Sequence, residues 1–124
     1  DWEATFVAPL RGIAPAGLGL IGLPRWFGKR FRVEAGVVQG VNLLRAETPG
    51  VLAETLPMGA LYTPSYADQR PCVAVSYAAG SRKPWPWVRD ELRRRDETTL
   101  VGMTYVDLPG LRALGGTPFL LTRR

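Results

Sequence analysis

Histidine is absent from the 124 residues. That removes Ser-His-Asp and Cys-His nucleophilic systems, His-ligated haem and His-containing zinc sites together. Cysteine is nearly absent: the lone Cys72 excludes an intramolecular disulfide and Cys-rich metal clusters, and a thiol with no basic neighbour in sequence is expected to be buried and inert. No Gly-x-Gly-x-x-Gly or Walker loop occurs, Gly17-Leu18-Gly19 lacks both a preceding strand and a third glycine, and the carboxylates lack EF-hand spacing. Neither a metal nor a cofactor is expected. Long hydrophobic runs are missing too. The most apolar stretch, Val7 to Leu23, holds Pro9, Pro15, four glycines and Arg11, short of the roughly 20 apolar residues of a membrane-spanning helix. Its two prolines also exclude one long soluble helix.

What is present belongs to a globular chain: 46% hydrophobic and 22% charged residues. The length suits one domain with a sizeable core. Gly and Pro make up 25 residues, too many for a helical bundle and suited to short strands with many turns. Sixteen basic residues, fourteen of them Arg, face eleven acidic ones for a net charge of +5. Such a balance is either an Arg-rich solvated surface or an attraction for anionic partners. Arg93-Arg94-Arg95 and the Trp85/Trp87 pair raise nucleic acid as a partner, but the aromatics are scattered without an RNP-type motif, so nucleic-acid binding is not expected. The chain opens at Asp1 rather than Met, so a start is expected to have been cleaved, trimmed or left out, and any targeting signal could have gone with it. A cytoplasmic or membrane-peripheral setting is expected over a secreted one.

From Arg30 onward the hydrophobic period is two. Phe31, Val33, Ala35, Val37, Gln39, Val41 and Leu43 share one face of an extended chain, and Asn42 and Leu44 lie on the other. Glycines at 36 and 40 predict that this long strand bends or splits at a bulge. Thr48-Pro49-Gly50 is a turn, and Val51–Leu56 and Met58–Thr63 read as strands parted by Pro57. Ser65–Pro71 is a polar loop, Cys72–Ala79 a strand, and Leu100–Leu108 another. Residues 85–95 fit either a helix pairing Val88 with Leu92 or a strand, and strand is the choice made here. Asp107 to Leu114 predicts one short helical turn, and Thr117–Thr122 a last strand. One mainly β domain over 1–124 follows, a closed barrel or a sandwich, and the long bent strand favours the barrel: a lid or plug at 1–28, then an antiparallel barrel at 29–124.

The segment Trp26-Phe27-Gly28-Lys29-Arg30-Phe31 resembles the motif of small bacterial Gly-x-Trp-x-Gly β-barrel proteins, and more distantly that of lipocalins and their calycin relatives. Trp26, Gly28, Lys29 and Phe31 match, whereas Pro24 and Arg25 stand where the leading Gly would be. The resemblance covers about a tenth of the chain. It implies a lipocalin-like barrel with Trp26 closing the floor, and an interior that binds a hydrophobic molecule.

The residues themselves suit a small hydrophobic or amphiphilic ligand: Tyr62, Tyr77, Tyr105, Trp85, Trp87, Met58 and Met103 as apolar wall, with Asn42 as a polar anchor. For each aromatic, plain core packing is the commoner role. Arg89, Asp90, Glu91 and Arg93 alternate along one strand, and the expectation is that Glu91 faces inward, paired with Arg89 or Arg93. A carboxylate in an apolar barrel could also act as acid or base, so Glu91, Asp90 and Tyr105 are the catalytic candidates for a cofactor-independent isomerase or cyclase. The other alternative is a peripheral membrane or lipid-handling protein that uses residues 7–32, where Trp26 and Phe27 interleave with arginines, at a membrane surface.

Overall fold

The computed structural model describes residues 1–6, 22–108 and 116–124. Within them lie eight strands: β1 Trp2–Phe6, β2 Trp26–Glu34, β3 Val37–Arg45, β4 Leu52–Pro64, β5 Pro71–Tyr77, β6 Val88–Arg94, β7 Thr99–Val106 and β8 Thr117–Arg123. Each pairs antiparallel with the next, and β1 pairs with β8 to close the barrel. Closure leaves no sheet edge to cap, which suits a chain with so many short strands. The expected mainly β barrel is what the chain forms.

Several boundaries differ from expectation. Residues 2–6 are not part of a lid: β1 is the strand that closes the barrel, and Trp26 to Gly28 belong to β2. The lid expected at 7–21 lies outside the described residues, as does most of the helical turn expected at 107–114. Of the strand expected at 85–95, Trp85–Trp87 is a 3-10 turn and Val88–Arg94 is strand.

The expected long strand is two. Ala35 and Gly36, at φ 51° and 77°, reverse the chain so that Glu34 pairs with Val37 and Phe31 with Gly40. Gly36 takes a left-handed conformation without cost, while Ala35 does so despite its Cβ. The reversal has a consequence for facing. Inward residues are odd-numbered in β2 (Lys29, Phe31) and even-numbered in β3 (Gly40, Asn42, Leu44), so Asn42 joins the Phe31 face. Conversely, the two strands expected around Pro57 are one. There the register shifts, with Gly40 opposite Met58 but Asn42 opposite Thr55, and Pro57, which has no N–H to donate, occupies the resulting bulge.

The core cluster is Met58, Val75, Tyr77, Val88, Leu92, Phe119 and Leu121 with Leu23 and Trp85, flanked by Trp2, Ala4, Phe6, Trp26, Phe31, Leu44 and Leu100, so that every strand contributes. Gly28 has a specific reason to be glycine. A Cβ there would lie 1.8 Å from the Trp2 carbonyl oxygen, where β1 crosses β2. One end of the barrel gathers Trp2, the 35–36 turn, Tyr62, Arg94 and Arg123. The other gathers Phe6, Trp26 and the Trp85–Trp87 turn.

Candidate functional site

Strand alternation decides which charges enter the barrel. On β6, Val88, Asp90, Leu92 and Arg94 share the inner face, because Val88 and Leu92 are core residues two positions either side of Asp90. Arg89, Glu91 and Arg93 therefore point outward. The expectation that Glu91 faces the interior is overturned, and the inward carboxylate is Asp90.

Asp90 anchors a polar network across five strands. Lys29 on β2 donates from Nζ to Asp90 Oδ2 at 2.9 Å, to the Tyr77 hydroxyl at 2.9 Å and to Asn42 Oδ1 at 3.1 Å. Its three N–H bonds thus have three acceptors. The Tyr77 hydroxyl donates to Asp90 Oδ2 at 3.0 Å and Thr104 Oγ1 to Asp90 Oδ1 at 2.7 Å. Trp26 Nε1 donates to Asn42 Oδ1 at 3.0 Å, tying the aromatic floor to the same cluster. Lys29, Asn42, Tyr77 and Asp90 are all buried, and no buried side-chain polar atom among the described residues lacks a hydrogen-bond partner. The Lys29 ammonium also lies 5.4 Å from the Trp26 ring and 5.6 Å from the Tyr77 ring, within cation–π reach.

Burial alone would lower the Lys29 pKa, but Asp90 and Tyr77 outweigh it and hold the ammonium above the ordinary lysine value. Burial, then the Asp90 carboxylate, push the Tyr77 phenol up from 10.0 to about 12. Lys29 is thus a charged, locked side chain, and the network is a rigid polar core. For it to do acid–base chemistry, a substrate would have to displace one of these bonds.

The expected site residues divide into groups. Trp26, Asn42, Tyr77 and Trp85 are in the interior with Asp90, where Trp85 packs on Tyr77 at 5.1 Å between ring centroids. Trp87 lies at the Trp26 end under Lys83, outside the core cluster. Arg89, Glu91, Arg93, Met103 and Tyr105 do not enter the barrel. They face its outer wall, the physical reason being the same alternation: Arg89 pairs with Tyr105 and Glu91 with Met103 across the β6–β7 ladder.

Glu91 is nonetheless buried, under the 64–71 loop. It accepts from Ser65 Oγ at 2.6 Å and from the Tyr66 N–H at 2.9 Å, and it pairs with Arg89 at 2.8 Å. The Arg89 guanidinium sits 3.9 Å from the Tyr66 ring centre, and Tyr66 packs edge-on against Tyr105. Arg93 holds the same loop through Asp68 at 2.6 Å. These residues clamp a loop to the wall. Burial, then Glu91, raise both the Cys72 thiol and the Tyr105 phenol beneath it.

The interior opens at the Trp2 end. There a cavity of about 350 Å3 is lined by Trp2, Phe31, Val38, Tyr62, Leu92 and Leu100, with Val73 and Arg94 beside them. Of the expected site residues, Tyr62 and the outward-facing Arg93 line this mouth. Among the described residues no three Cys, Asp or Glu side chains converge as metal ligands would.

Sequence reasoning missed Lys29 and Thr104 as interior residues, and Arg94 as an exposed cation at the mouth on the inner-face side of β6. The signal for Lys29 was available: it lies two residues before Phe31 and so on the Phe31 face. No family model, curated protein or solved structure matches this chain. Its chemistry must be read from its own residues.

Proposed function

We propose that the barrel binds one small amphiphile in its open mouth, with the apolar body between Phe31, Leu92 and Leu100 and an anionic end at Arg94. The observation that carries this reading is the 350 Å3 opening at the Trp2 end, walled by inward side chains from seven strands. That volume is at the lower end of the about 300–1,000 Å3 of small-molecule sites. Aliphatic and aromatic walls reward burial of a hydrocarbon, and a guanidinium suits a carboxylate end. Arg94 is the inward cation on β6, and it has no salt bridge among the described residues. The Lys29–Asp90 network fills the barrel's middle with satisfied polar groups and so limits how far the body can penetrate. The Trp26–Phe31 resemblance to the Gly-x-Trp-x-Gly barrels, whose relatives in the calycin group bind apolar molecules, is in keeping with the same proposal.

Calorimetric titration with decanoate and with decanol tests it. Saturable one-to-one binding of decanoate is expected, weaker for decanol and weaker for decanoate with Arg94→Ala. Leu100→Trp, which fills the mouth, should abolish both. No saturable binding of either compound, or full affinity in Leu100→Trp, refutes the proposal.

A further inference from the structure

The mouth carries a second feature that ligand binding does not require. Large hydrophobic side chains stand exposed around it: Val33 at 70%, Val37 at 55%, Leu61 at 68% and Tyr62 at 74%. Val33 and Val37 flank the Ala35–Gly36 turn, the tip of the β2–β3 hairpin. Continuing the β3–β4 register two residues beyond Gln39 and Gly59 brings Val37 beside Leu61. Val37 and Leu61 are thus neighbours on the outer wall and Val33 and Tyr62 stand on the inner side of the same rim, so that the four ring one end of the barrel. Two arginines share this end. Arg94 and Arg95 follow each other at the end of β6 and have no salt bridge among the described residues, whereas Arg30, Arg32, Arg89, Arg93 and Arg124 each hold a carboxylate.

We propose that this rim docks the barrel, mouth first, on an anionic phospholipid bilayer. An aliphatic hairpin tip with a tyrosine beside it fits the head-group boundary, where apolar side chains enter and a phenol remains at the polar level. Arg94 and Arg95 add attraction to lipid phosphates, and the net charge of +5 gives the whole molecule the matching sign. The contact surface is residues 33–37, 61–62 and 94–95. It is separate from the 7–32 segment that the sequence suggested. Docking here would open the cavity onto the bilayer, so an apolar ligand could enter without crossing water, but the docking itself does not depend on ligand binding.

Co-sedimentation of the full chain with vesicles tests it, using phosphatidylcholine alone and phosphatidylcholine mixed with phosphatidylglycerol, with no other ligand added. Binding is expected to the anionic vesicles and to fall as salt rises. Val37→Asp combined with Leu61→Asp should weaken it by at least about tenfold. Arg94→Glu with Arg95→Glu should remove most of the preference for phosphatidylglycerol. These positions are on the surface, and an unchanged urea midpoint confirms folding; should the Asp pair unfold the chain, Val37→Ser with Leu61→Ser replaces it. Absence of binding by the unmodified chain overturns the proposal. So does binding that survives the rim substitutions, which would place the contact elsewhere. Self-association that the same substitutions abolish, without vesicle binding, would make the occupant a second copy and overturn it equally.

Discussion

Replacing Lys29 by Met keeps the length of the side chain and removes its charge. In the folded barrel this strips Asp90 of its ion pair at 2.9 Å and leaves it two neutral donors, Tyr77 and Thr104. The Lys29 and Asp90 side chains are only 2% and 4% exposed, so water cannot replace the lost partner. Breaking a buried pair from one side costs about 3–5 kcal/mol, because the remaining charge is uncompensated. The loss should shrink as pH falls, since a lone buried carboxylate favours its protonated form and the folded variant then takes up a proton. Adding Asp90→Leu removes that charge too, and the double variant should recover about 2–3 kcal/mol relative to the sum of the singles. Urea denaturation of the four proteins, with midpoints compared at constant slope, gives the cycle. Single variants that each cost under about 1 kcal/mol, or losses that simply add, would refute the buried-pair reasoning.

Alkali should destabilise the barrel. The Tyr77 pKa is raised on folding from 10.0 to about 12, so its contribution is complete below pH 10 and is lost as pH rises toward 12, about 2–3 kcal/mol in all. Lys29, also raised, acts in the same direction above its unfolded value of 10.5, and Tyr77→Phe should flatten the stability–pH curve between 10 and 12. An unchanged slope in that variant contradicts the assignment. Gly28→Ala should cost about 3 kcal/mol or more, since the new Cβ meets the backbone of β1 and not a movable side chain; a urea midpoint near that of the parent would show that β1 does not cross there. Glu91→Gln should lower stability by about 1–3 kcal/mol through weaker bonds to Ser65, Tyr66 and Arg89 while leaving decanoate affinity unchanged. Altered affinity would return Glu91 to the ligand site.

Periodicity and turn chemistry made the antiparallel strands legible, from the period of two after Arg30, the Pro49-Gly50 turn and the run of short segments. Closure into a barrel was not legible in them, since a sandwich fits the same pattern and the long bent strand that favoured a barrel is in fact the β2–β3 hairpin. The inner face of β6 was legible as well, but the charges drew attention from it. Val88 and Leu92 have the same parity as Asp90, and in a half-buried strand the apolar residues decide which neighbours go inside. The same argument places Lys29 with Phe31. What ran against it is the rarity of buried lysine, which only a partner such as Asp90, sixty-one residues away, makes tolerable. Ala35 concealed the hairpin, because alanine seldom takes a positive φ. The burial of Glu91 could not be read at all. It depends on the 64–71 loop folding over the outer wall, a tertiary contact with no trace in local pattern.

Two-dimensional amide NMR of the labelled protein, titrated with decanoate, tests the mouth site most directly. Shifts should concentrate at Phe31, Val38, Val73, Leu92, Arg94 and Leu100 and saturate together at one equivalent. Shifts confined to the outer wall around Ser76 or Met103, or none up to the solubility of decanoate, would contradict the account.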